Sequence, residues 1–345
     1  MESSTTVLVT GGTGALGVHC ILQLLDKGYR VKTTIRSINK KNVVIEMLKT
    51  GGITSADNLT FIEADLTKDT NWDQAMNGCQ YVLHIASPTH ADAKVSEDQM
   101  IRPAVEGTLR VLKAARKAGI KRVIMTSSFG AVGFSNKKQN SETTEADWTD
   151  PHEKGLSAYE KSKTLAEQAA WNFIRQEGGG LELATINPVA IFGPSLGASK
   201  SPSLGILTFL LAGSMKAIPD IELNVVDIRD VADLHIRAMT NPDAKGQRFI
   251  ATADGKISMP EIALLLKNKR SDVAQKVPTG ILPNWVLSIV ALFNAQAKQS
   301  VALLAINRNV SNAKARNVLG WTPRATQEDA ILASMDSIIQ QGVGQ

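Results

Sequence analysis

The sequence predicts an α/β protein with a doubly wound parallel sheet, followed by a smaller and mostly helical lobe. Two observations support this fold class. Short apolar runs alternate with helix-like segments through the first half of the 345-residue chain, and the first run leads into a glycine-rich turn. Near-continuous apolar strands separated by helices are typical of parallel sheets covered on both faces, and right-handed crossovers supply that cover.

The overall composition excludes several other classes of protein. Hydrophobic residues make up 43% of the chain and charged residues 21%, as in globular proteins with a large core. The net charge of +5 comes without a long basic run, which argues against a nucleic-acid partner. Two cysteines argue against a disulfide framework, and the apolar stretch Ile281–Phe293 is interrupted by Pro283. Because the first residues do not resemble a secretory signal, we expect a cytoplasmic protein without membrane partners, either a monomer or a homodimer.

The first strand and the glycine-rich turn after it are the clearest sign of a ligand-binding element in the sequence. The apolar run Thr6–Thr10 leads into Gly11-Gly12-Thr13-Gly14-Ala15-Leu16-Gly17 and then into the helical segment Val18–Leu25. These glycines satisfy the dinucleotide fingerprint, in which they permit a tight turn, a close approach of backbone N–H groups to a pyrophosphate, and close packing of helix on strand. We therefore expect a Rossmann domain whose pyrophosphate site includes Gly11, Thr13, Gly14, Ala15 and Leu16, at the positive end of the helix.

The remaining strands and helices of the first half follow from apolar runs and from helical spacing. Gly51-Gly52 ends the second helix, and Val105, Leu109 and Leu112 mark one face of the fourth. The predicted strands are Arg30–Ile35, Leu59–Glu63, Tyr81–Ile85, Arg122–Thr126 and Leu183–Ile186. The predicted helices are Lys40–Lys49, Trp72–Met76, Gln99–Ala118 and Ser157–Gln176.

The alternation of strands and helices breaks down after Pro188. We expect residues 1–187 to form the Rossmann domain, with 221–240 returning to it, and residues 188–345 to form most of a substrate-binding lobe. A strand near Arg248–Ile250 is assigned to that lobe. The polar stretch Ser135–Gly155 is the longest segment without a predicted element, and a loop of that length is usually functional or mobile.

Ligands of a doubly wound sheet bind beyond the carboxyl ends of its strands. Arg36 lies at the end of the second strand, where the adenine ribose falls, and no acidic residue occurs between Val31 and Lys41. An arginine there suits the 2′-phosphate of NADP better than the free hydroxyls of NAD. The expected cofactor contacts beyond the glycine turn are Arg36, Lys40, Asp65, Leu66, Ile85, Ala86, Ser87, Thr126, Tyr159, Lys163, Pro188, Val189 and Ile191. Two hypotheses about Asp65 are nearly equally supported. Its carboxylate could accept a hydrogen bond from the adenine amino group, or it could form an Asx cap for the next turn.

Tyr159 and Lys163 carry the strongest chemical signal. They are four residues apart on a predicted helix and therefore share a face. A free tyrosine has a pKa near 10, and we expect the neighbouring ammonium to lower that pKa, so that the phenol serves as an acid–base group. Ser127 and Ser128 end the fifth strand, and either hydroxyl could donate to a substrate carbonyl. Spacing alone does not decide between them.

These residues, taken together, resemble the extended short-chain dehydrogenase/reductase family. The resemblance rests on Thr10–Gly17, His84–Pro88, Met125–Ser128, Tyr159–Lys163, Asn187–Pro194, Val226–Ala232 and Leu319–Pro323. Within the family the chain looks like the branch of dihydroflavonol reductases, cinnamoyl-CoA reductases and yeast methylglyoxal reductase. The resemblance implies Ser128, Tyr159 and Lys163 as catalytic residues and NADPH-dependent reduction of a carbonyl compound. Phe129 and the Ser135–Gly155 segment depart from the plant flavonoid enzymes, which favours a small or medium aldehyde or ketone.

Other functions remain open on the sequence. A nucleotide-sugar epimerase or dehydratase, a hydroxysteroid dehydrogenase and an NADP-binding redox sensor without catalysis are the alternatives. No metal site is expected, because the five histidines lack ligand spacing, and His84 is interpreted as a packed residue. We expect the substrate pocket to be built by Pro88–Val95, Phe129–Phe134 and Val189–Leu211.

Overall fold

A seven-stranded parallel sheet forms the centre of the computed structural model, which describes residues 5–88, 96–197, 202–214 and 216–341. The strands of the described residues are β1 (Thr6–Thr10), β2 (Arg30–Ile35), β3 (Leu59–Glu63), β4 (Tyr81–His84), β5 (Arg122–Thr126), β6 (Glu182–Pro188), β7 (Ala190–Phe192), β8 (Ala217–Pro219), β9 (Glu222–Leu223), β10 (Val225–Asp227), β11 (Arg248–Ala251), β12 (Ile257–Ser258) and β13 (Gly280–Leu282). The order in the central sheet is β11-β6-β5-β4-β1-β2-β3. The strand order reverses between β1 and β4, which confirms the predicted doubly wound sheet and locates its ligand-binding crevice.

Helices cover both faces of this sheet. The helices of the described residues are α1 (Ala15–Asp26), α2 (Lys41–Thr50), α3 (Trp72–Met76), α4 (Glu97–Lys117), α5 (Ala158–Glu177), α6 (Pro202–Ala212), α7 (Ile228–Thr240), α8 (Met259–Lys269), α9 (Asn284–Val290), α10 (Ala295–Leu304), α11 (Ala313–Leu319) and α12 (Gln327–Gln340). Alternate residues of β1 point to opposite faces, because side chains alternate along a strand. Val7 and Val9 pack in the core that holds α1 and α7, whereas Leu8 packs in the core that holds α4 and α5.

The two long helices begin where a serine caps them. Ser96 and Gln99 form a reciprocal capping box, so α4 begins at Glu97, two residues before the predicted start. Ser157 and Glu160 form the same motif at the start of α5. The cap fixes the first turn of α5, and Tyr159 lies in that turn.

The strand Arg248–Ala251 corrects one assignment made from the sequence. It was expected in the smaller lobe, but as β11 it pairs in parallel with β6 and becomes the edge strand of the central sheet. Phe249, Ile250 and Ala251 are fully buried, so both faces of this strand are covered. The alternation of strands and helices is interrupted between β6 and β11, so the sequence pattern does not by itself assign this strand to the central sheet.

A separate apolar core supports the second half of the chain. Phe192, Leu207, Ile218, Ile262 and Met335 belong to it and come from β7, α6, β8, α8 and α12. Three two-stranded sheets, β7–β10, β9–β12 and β8–β13, lie in this half. Residues 188–345 as a substrate-binding lobe stay a prediction.

The polar segment Ser135–Gly155 lacks long elements but is firmly packed. Thr143, Glu145 and Thr149 are buried, and Thr143 forms a parallel bridge with Val310. The Glu145 carboxylate accepts a hydrogen bond from the Ile250 backbone N–H at 2.9 Å. The segment thus closes the open edge of the sheet at β11.

Among residues 5–88, 96–197, 202–214 and 216–341, no helix is both long and apolar enough to cross a membrane.

Candidate active site

The glycine turn between β1 and α1 has the geometry that its sequence predicts. Gly11 has a φ of +78°, a conformation that residues with a Cβ rarely adopt. A Cβ on Gly17 would lie 2.3 Å from the Gly11 carbonyl oxygen, so a side chain there is sterically excluded. The turn therefore brings the first N–H groups of α1 to the crevice at the end of the sheet.

A cleft of about 570 Å³ lies at the carboxyl ends of the strands and runs along this turn. Most of the predicted site residues line it. They are Gly11, Thr13, Gly14, Ala15, Leu16, Arg36, Asp65, Leu66, Ile85, Ala86, Ser87, Thr126, Tyr159, Lys163 and Ile191. The structure thus brings together residues that are separated by up to 180 positions in the chain.

Four predicted residues are absent from the cleft lining: Ser128, Lys40, Pro188 and Val189. Lys40 is exposed at the end of a short 3-10 segment. Pro188 and Val189 are buried, and the Val189 N–H donates to the Ala251 carbonyl. The sequence prediction ended β6 at Ile186, but pairing with β11 extends the strand to Pro188. The cleft is reached three residues after Pro188, at Ile191.

Arg36 and Asp65 lie at one end of the cleft, after β2 and β3. Arg36 is exposed and makes no hydrogen bond to the described residues, whereas the Asp65 Oδ1 accepts hydrogen bonds from the Thr67 N–H and hydroxyl, each at 2.9 Å. The Thr67 N–H bond and, more weakly, the charge of Arg36 lower the pKa of Asp65. Asp65 therefore adopts the Asx cap, one of the two roles considered for it, while its second oxygen makes no hydrogen bond to the described residues.

The loop after β7 closes the opposite side of the cleft, within the segment Val189–Leu211 that the sequence assigns to the substrate pocket. Gly193, Pro194 and Ser195 line it, together with Ser334 of α12. The Ser334 hydroxyl donates to the Gly193 carbonyl at 2.9 Å, and the His19 Nε2 of α1 bonds the Pro194 carbonyl at 2.9 Å. Gly193-Pro194 stands in a quoted family motif, but nothing local in the sequence points to Ser334.

Tyr159 and Lys163 both face the cleft from the first turns of α5, as their spacing predicts. Lys163 is buried, and its Nζ donates to the Thr126 carbonyl at 3.4 Å. Burial lowers the pKa of Lys163 to about 8, against the opposing effect of the Glu167 charge.

The expectation that Lys163 lowers the pKa of Tyr159 is wrong for this structure. Desolvation raises the pKa of the Tyr159 phenol to about 12, and the charge of Glu160 raises it further. The opposing influence comes from a hydrogen bond with the Ser128 side chain. Burial disfavours the charged phenolate, and Lys163 is not among the groups that act on the pKa of Tyr159.

The two adjacent serines have different surroundings. Ser127 is buried, and its hydroxyl donates to the Glu167 carboxylate at 2.5 Å. The Ser128 hydroxyl accepts the Gly130 N–H at 3.1 Å and interacts with the Tyr159 phenol. Ser127 is therefore held within the core, and Ser128 is the serine that lies beside Tyr159.

Glu167 organises a buried cluster behind the cleft that the sequence analysis did not identify. Its carboxylate also accepts from Thr185 Oγ1 at 2.9 Å, Asn187 Nδ2 at 2.7 Å and Arg248 Nε at 2.8 Å. These residues come from α5, β6 and β11 and show no common sequence motif. The carboxylate is fully buried and saturated with donors.

The histidines near the site are neutral and packed. His84 Nδ1 bonds the Thr10 hydroxyl at 3.0 Å, and burial lowers the pKa of His84 to about 3. His235 bonds Thr126 Oγ1 at 2.7 Å and the Val231 carbonyl at 2.7 Å, and burial lowers the pKa of His235 to about 4. Within the part of the chain that the structure describes, no group of three or more His, Cys, Asp or Glu side chains has metal-binding geometry.

Parts of all three segments predicted to build the substrate pocket lie within the described residues. Of Pro88–Val95, Pro88 lines the cleft, and residues 89–95 lie outside the described residues, as do 198–201 of the third predicted segment. Ile191 and Leu204 line the cleft. Phe129 is buried with its ring centroid 6.0 Å from that of Phe134 in an edge-to-face contact.

Comparisons with known proteins bear on this site. The model of the NAD dependent epimerase/dehydratase family matches residues 7–251. A Candida albicans protein provisionally named NADPH-dependent methylglyoxal reductase is 33% identical over 340 residues, which cover 93% of this chain and 95% of that protein. The dihydroflavonol 4-reductase of Gerbera hybrida is 32% identical over 278 residues, covering 78% and 73% of the two chains.

A solved structure agrees over the whole length. Gre2 of Candida albicans, crystallised with NADPH, superposes with a TM-score of 0.78 at 29% identity and covers 97% of this chain and 99% of its own. The chain therefore belongs to the NAD dependent epimerase/dehydratase family, among the extended short-chain dehydrogenases/reductases and in their dihydroflavonol reductase and methylglyoxal reductase-like branch.

Proposed function

We propose that this protein binds NADPH and uses it to reduce a small or medium-sized aldehyde or ketone to an alcohol. The observation that carries the proposal is that Tyr159 and Lys163 face the same cleft as the glycine turn, with the Ser128 side chain close enough to the Tyr159 phenol to oppose the rise of its pKa. A dinucleotide site without these groups would bind a cofactor but would lack a proton donor. The names of the relatives support a reductase that uses NADPH.

The cleft residues fit such a cofactor. The close approach at Gly11 and Gly17 leaves backbone N–H groups of α1 open to a pyrophosphate, because no side chain fills the turn. Arg36 is exposed at the end of β2 with donors for a 2′-phosphate, and the carboxylate Oδ1 of Asp65 is already occupied by Thr67. The buried Lys163 ammonium lies at the other end of the cleft, where it can bond ribose hydroxyls.

The proposed mechanism assigns one task to each side chain. When bound, the cofactor supplies a hydride to the carbonyl carbon. The Ser128 hydroxyl donates a hydrogen bond to the carbonyl oxygen as negative charge develops there. Tyr159 donates its proton to that oxygen, and its raised pKa of about 12 keeps the phenol protonated at neutral pH. The charged Lys163 stabilises the phenolate that remains.

Substitution of Tyr159 tests the chemical step. Tyr159→Phe keeps the ring but removes the proton, so kcat for NADPH oxidation with methylglyoxal or benzaldehyde should fall roughly 100- to 10,000-fold. Tyr29→Phe changes a half-buried tyrosine that follows α1 and does not line the cleft; it is the matched control and should retain wild-type kcat. NADPH affinity measured by fluorescence titration should be unchanged in both variants. Turnover of Tyr159→Phe at the wild-type rate would remove Tyr159 from the mechanism.

Substitution of Arg36 tests the choice of cofactor. Arg36→Asp should raise KM for NADPH roughly 10- to 100-fold, since a charge-assisted contact with phosphate is lost and a like charge replaces it. KM for NADH should change much less. Arg30→Asp, at the opposite end of the same strand, controls for net charge. Equal changes for both cofactors would contradict the assignment of Arg36.

A further inference from the structure

Arg308 is a buried charge that the proposed mechanism leaves unused. The residue is 8% exposed, its Nε is buried, and none of its guanidinium nitrogens forms a hydrogen bond to the described residues. Arg122 and Arg248 are buried to a similar degree, and each binds a carboxylate and several carbonyl oxygens. A buried donor without an acceptor costs stability, so the bare guanidinium of Arg308 calls for a ligand.

Hydrogen bonds of the main chain of Arg308 and of the preceding side chain hold Arg308 in place. Asn224 Nδ2 donates to the Arg308 carbonyl at 3.0 Å, and the preceding Asn307 bonds the carbonyls of Lys138 and Ser141. The guanidinium carbon lies 5.9 Å from the centroid of the Phe129 ring. Phe129 directly follows Ser128, so the charge lies next to the segment that carries the proposed catalytic serine.

The charge of Arg308 is not neutralised by a direct partner. Glu222 is the carboxylate whose charge acts on it, but Glu222 Oε2 accepts from Lys256 Nζ at 2.7 Å and makes no hydrogen bond to Arg308. Burial lowers the pKa of Arg308 to about 10, so the guanidinium is still charged at neutral pH. Its planar donors match a carboxylate, which can accept two parallel hydrogen bonds.

A second atom without a hydrogen-bond partner among the described residues belongs to Asn224, the residue that holds the Arg308 carbonyl. Asn224 Oδ1 is buried and lacks a donor, while Asn224 Nδ2 is held by the carbonyls of Gly255 and Arg308. The amide orientation is therefore set by its two acceptors. This corner of the fold offers unused donors on Arg308 and an unused acceptor on Asn224, as expected where a polar ligand group and its bridging water bind.

We propose that Arg308 binds a carboxylate carried by the substrate, so that the preferred substrates are oxo acids whose reacting group is an aldehyde or ketone. This inference rests on the proposed reductase function and names its substrate class. Arg308 acts here as a specificity-determining residue. It takes no part in hydride or proton transfer.

The test compares each acid with its neutral ester. kcat/KM is measured with NADPH for 4-oxobutanoate and 4-formylbenzoate and for their methyl esters, with wild-type protein, Arg308→Met and Arg102→Met. Arg102 is exposed and controls for the loss of one positive charge. The acid-to-ester ratio should exceed 10 in the wild type for at least one pair and fall roughly 10- to 100-fold in Arg308→Met alone. Because it is a ratio, it does not depend on the fraction of the variant that folds.

A binding experiment separates the inference from the proposed function. 4-(Hydroxymethyl)benzoate and 4-hydroxybutanoate do not react with NADPH, and their affinity for the NADPH-loaded protein is measured by calorimetry. Affinity that falls at least tenfold in Arg308→Met and less in Arg308→Lys supports the inference even if no carbonyl compound is turned over. Acid-to-ester ratios and affinities that are the same in wild type and Arg308→Met overturn it, even if every ester is reduced.

Discussion

Ser127 and Ser128 are consecutive residues, yet they belong to two polar clusters of opposite character. Ser127 joins the closed cluster, defined here as Ser127, Glu167, Thr185, Asn187 and Arg248, in which both carboxylate oxygens of Glu167 are occupied by donors. Ser128 joins the open cluster, defined as Ser128, Tyr159 and Lys163, whose last two members face the cleft.

We infer that the closed cluster has a structural role and that the open cluster has a chemical role. A fully satisfied buried network rigidifies the fold, because each member loses its partners if it moves. The closed cluster joins α5, β6 and β11 and thereby positions the helix that carries Tyr159 and Lys163. The open cluster keeps groups with displaced pKa values at a cleft, as is common at sites of catalysis.

The largest expected effect comes from opening the closed cluster. Arg248→Met leaves the Glu167 carboxylate buried without its cation, and breaking a buried pair in this way costs about 3–5 kcal/mol. The free energy of unfolding, measured in urea, should fall by that amount. Arg316→Met removes an exposed pair with Asp254 and should change stability by less than about 1 kcal/mol. Equal losses in the two variants would show that the closed cluster has no special structural role.

The next largest effect compares the two serines directly. Ser128→Ala should lower kcat about 100-fold, since a hydrogen-bond donor to the developing oxyanion is lost, and should leave stability nearly unchanged. Ser127→Ala should keep kcat and lower the free energy of unfolding by about 1–3 kcal/mol, because a buried carboxylate loses a donor. Steady-state kinetics and urea unfolding on both variants provide the measurement. If Ser127→Ala loses activity and Ser128→Ala does not, the roles are reversed.

The smallest expected effect is a pH dependence confined to the open cluster. Lys163 has a pKa lowered to about 8 and is charged below that pH, so kcat/KM for carbonyl reduction should fall about tenfold per pH unit above 8. Tyr159, with a pKa raised to about 12, keeps its proton throughout this range. Lys163→Arg should move the fall in kcat/KM to higher pH, whereas Ser127→Ala should leave it in place. A profile that is flat between pH 7 and 10 in the wild type would contradict this role of Lys163.

The free energy of unfolding should also depend on pH through Lys163. An unfolded lysine titrates near 10.4, so between pH 8 and 10 the unfolded chain binds more protons at Lys163 than the folded chain. Stability therefore rises with pH in that window, by at most about 1.4 kcal/mol per unit. Lys163→Met should remove this contribution, which a series of urea unfolding curves against pH would measure.

Local sequence patterns predict correctly those elements that form through interactions between neighbouring residues. The glycine turn, the helix that carries Tyr159 and Lys163, and the buried strands of the first half all follow from spacing and apolar runs, and the structure confirms them. Arg36 and Asp65 were found from the general position of ligands at the ends of strands. Their placement beside the cleft is confirmed, whereas their roles in binding remain predictions.

Errors arose where a distant partner decides the outcome. The strand Arg248–Ala251 belongs to the central sheet because it pairs with the free edge of β6. The same pairing extends β6 to Pro188, so that Pro188 and Val189 are buried and do not line the cleft. The pKa of Tyr159 depends on how deeply its ring is buried, which the four-residue spacing to Lys163 does not reveal.

The sequence by itself determined the parallel sheet, the glycine turn at its centre and the shared face of Tyr159 and Lys163, because turn sterics and side-chain periodicity act within a few residues. Only the tertiary structure distinguished Ser127 from Ser128, since that choice depends on Glu167, forty residues away. It alone also revealed that Arg308, beside Phe129, makes no side-chain hydrogen bond to the described residues, because the satisfaction of a buried charge depends on every element packed around it.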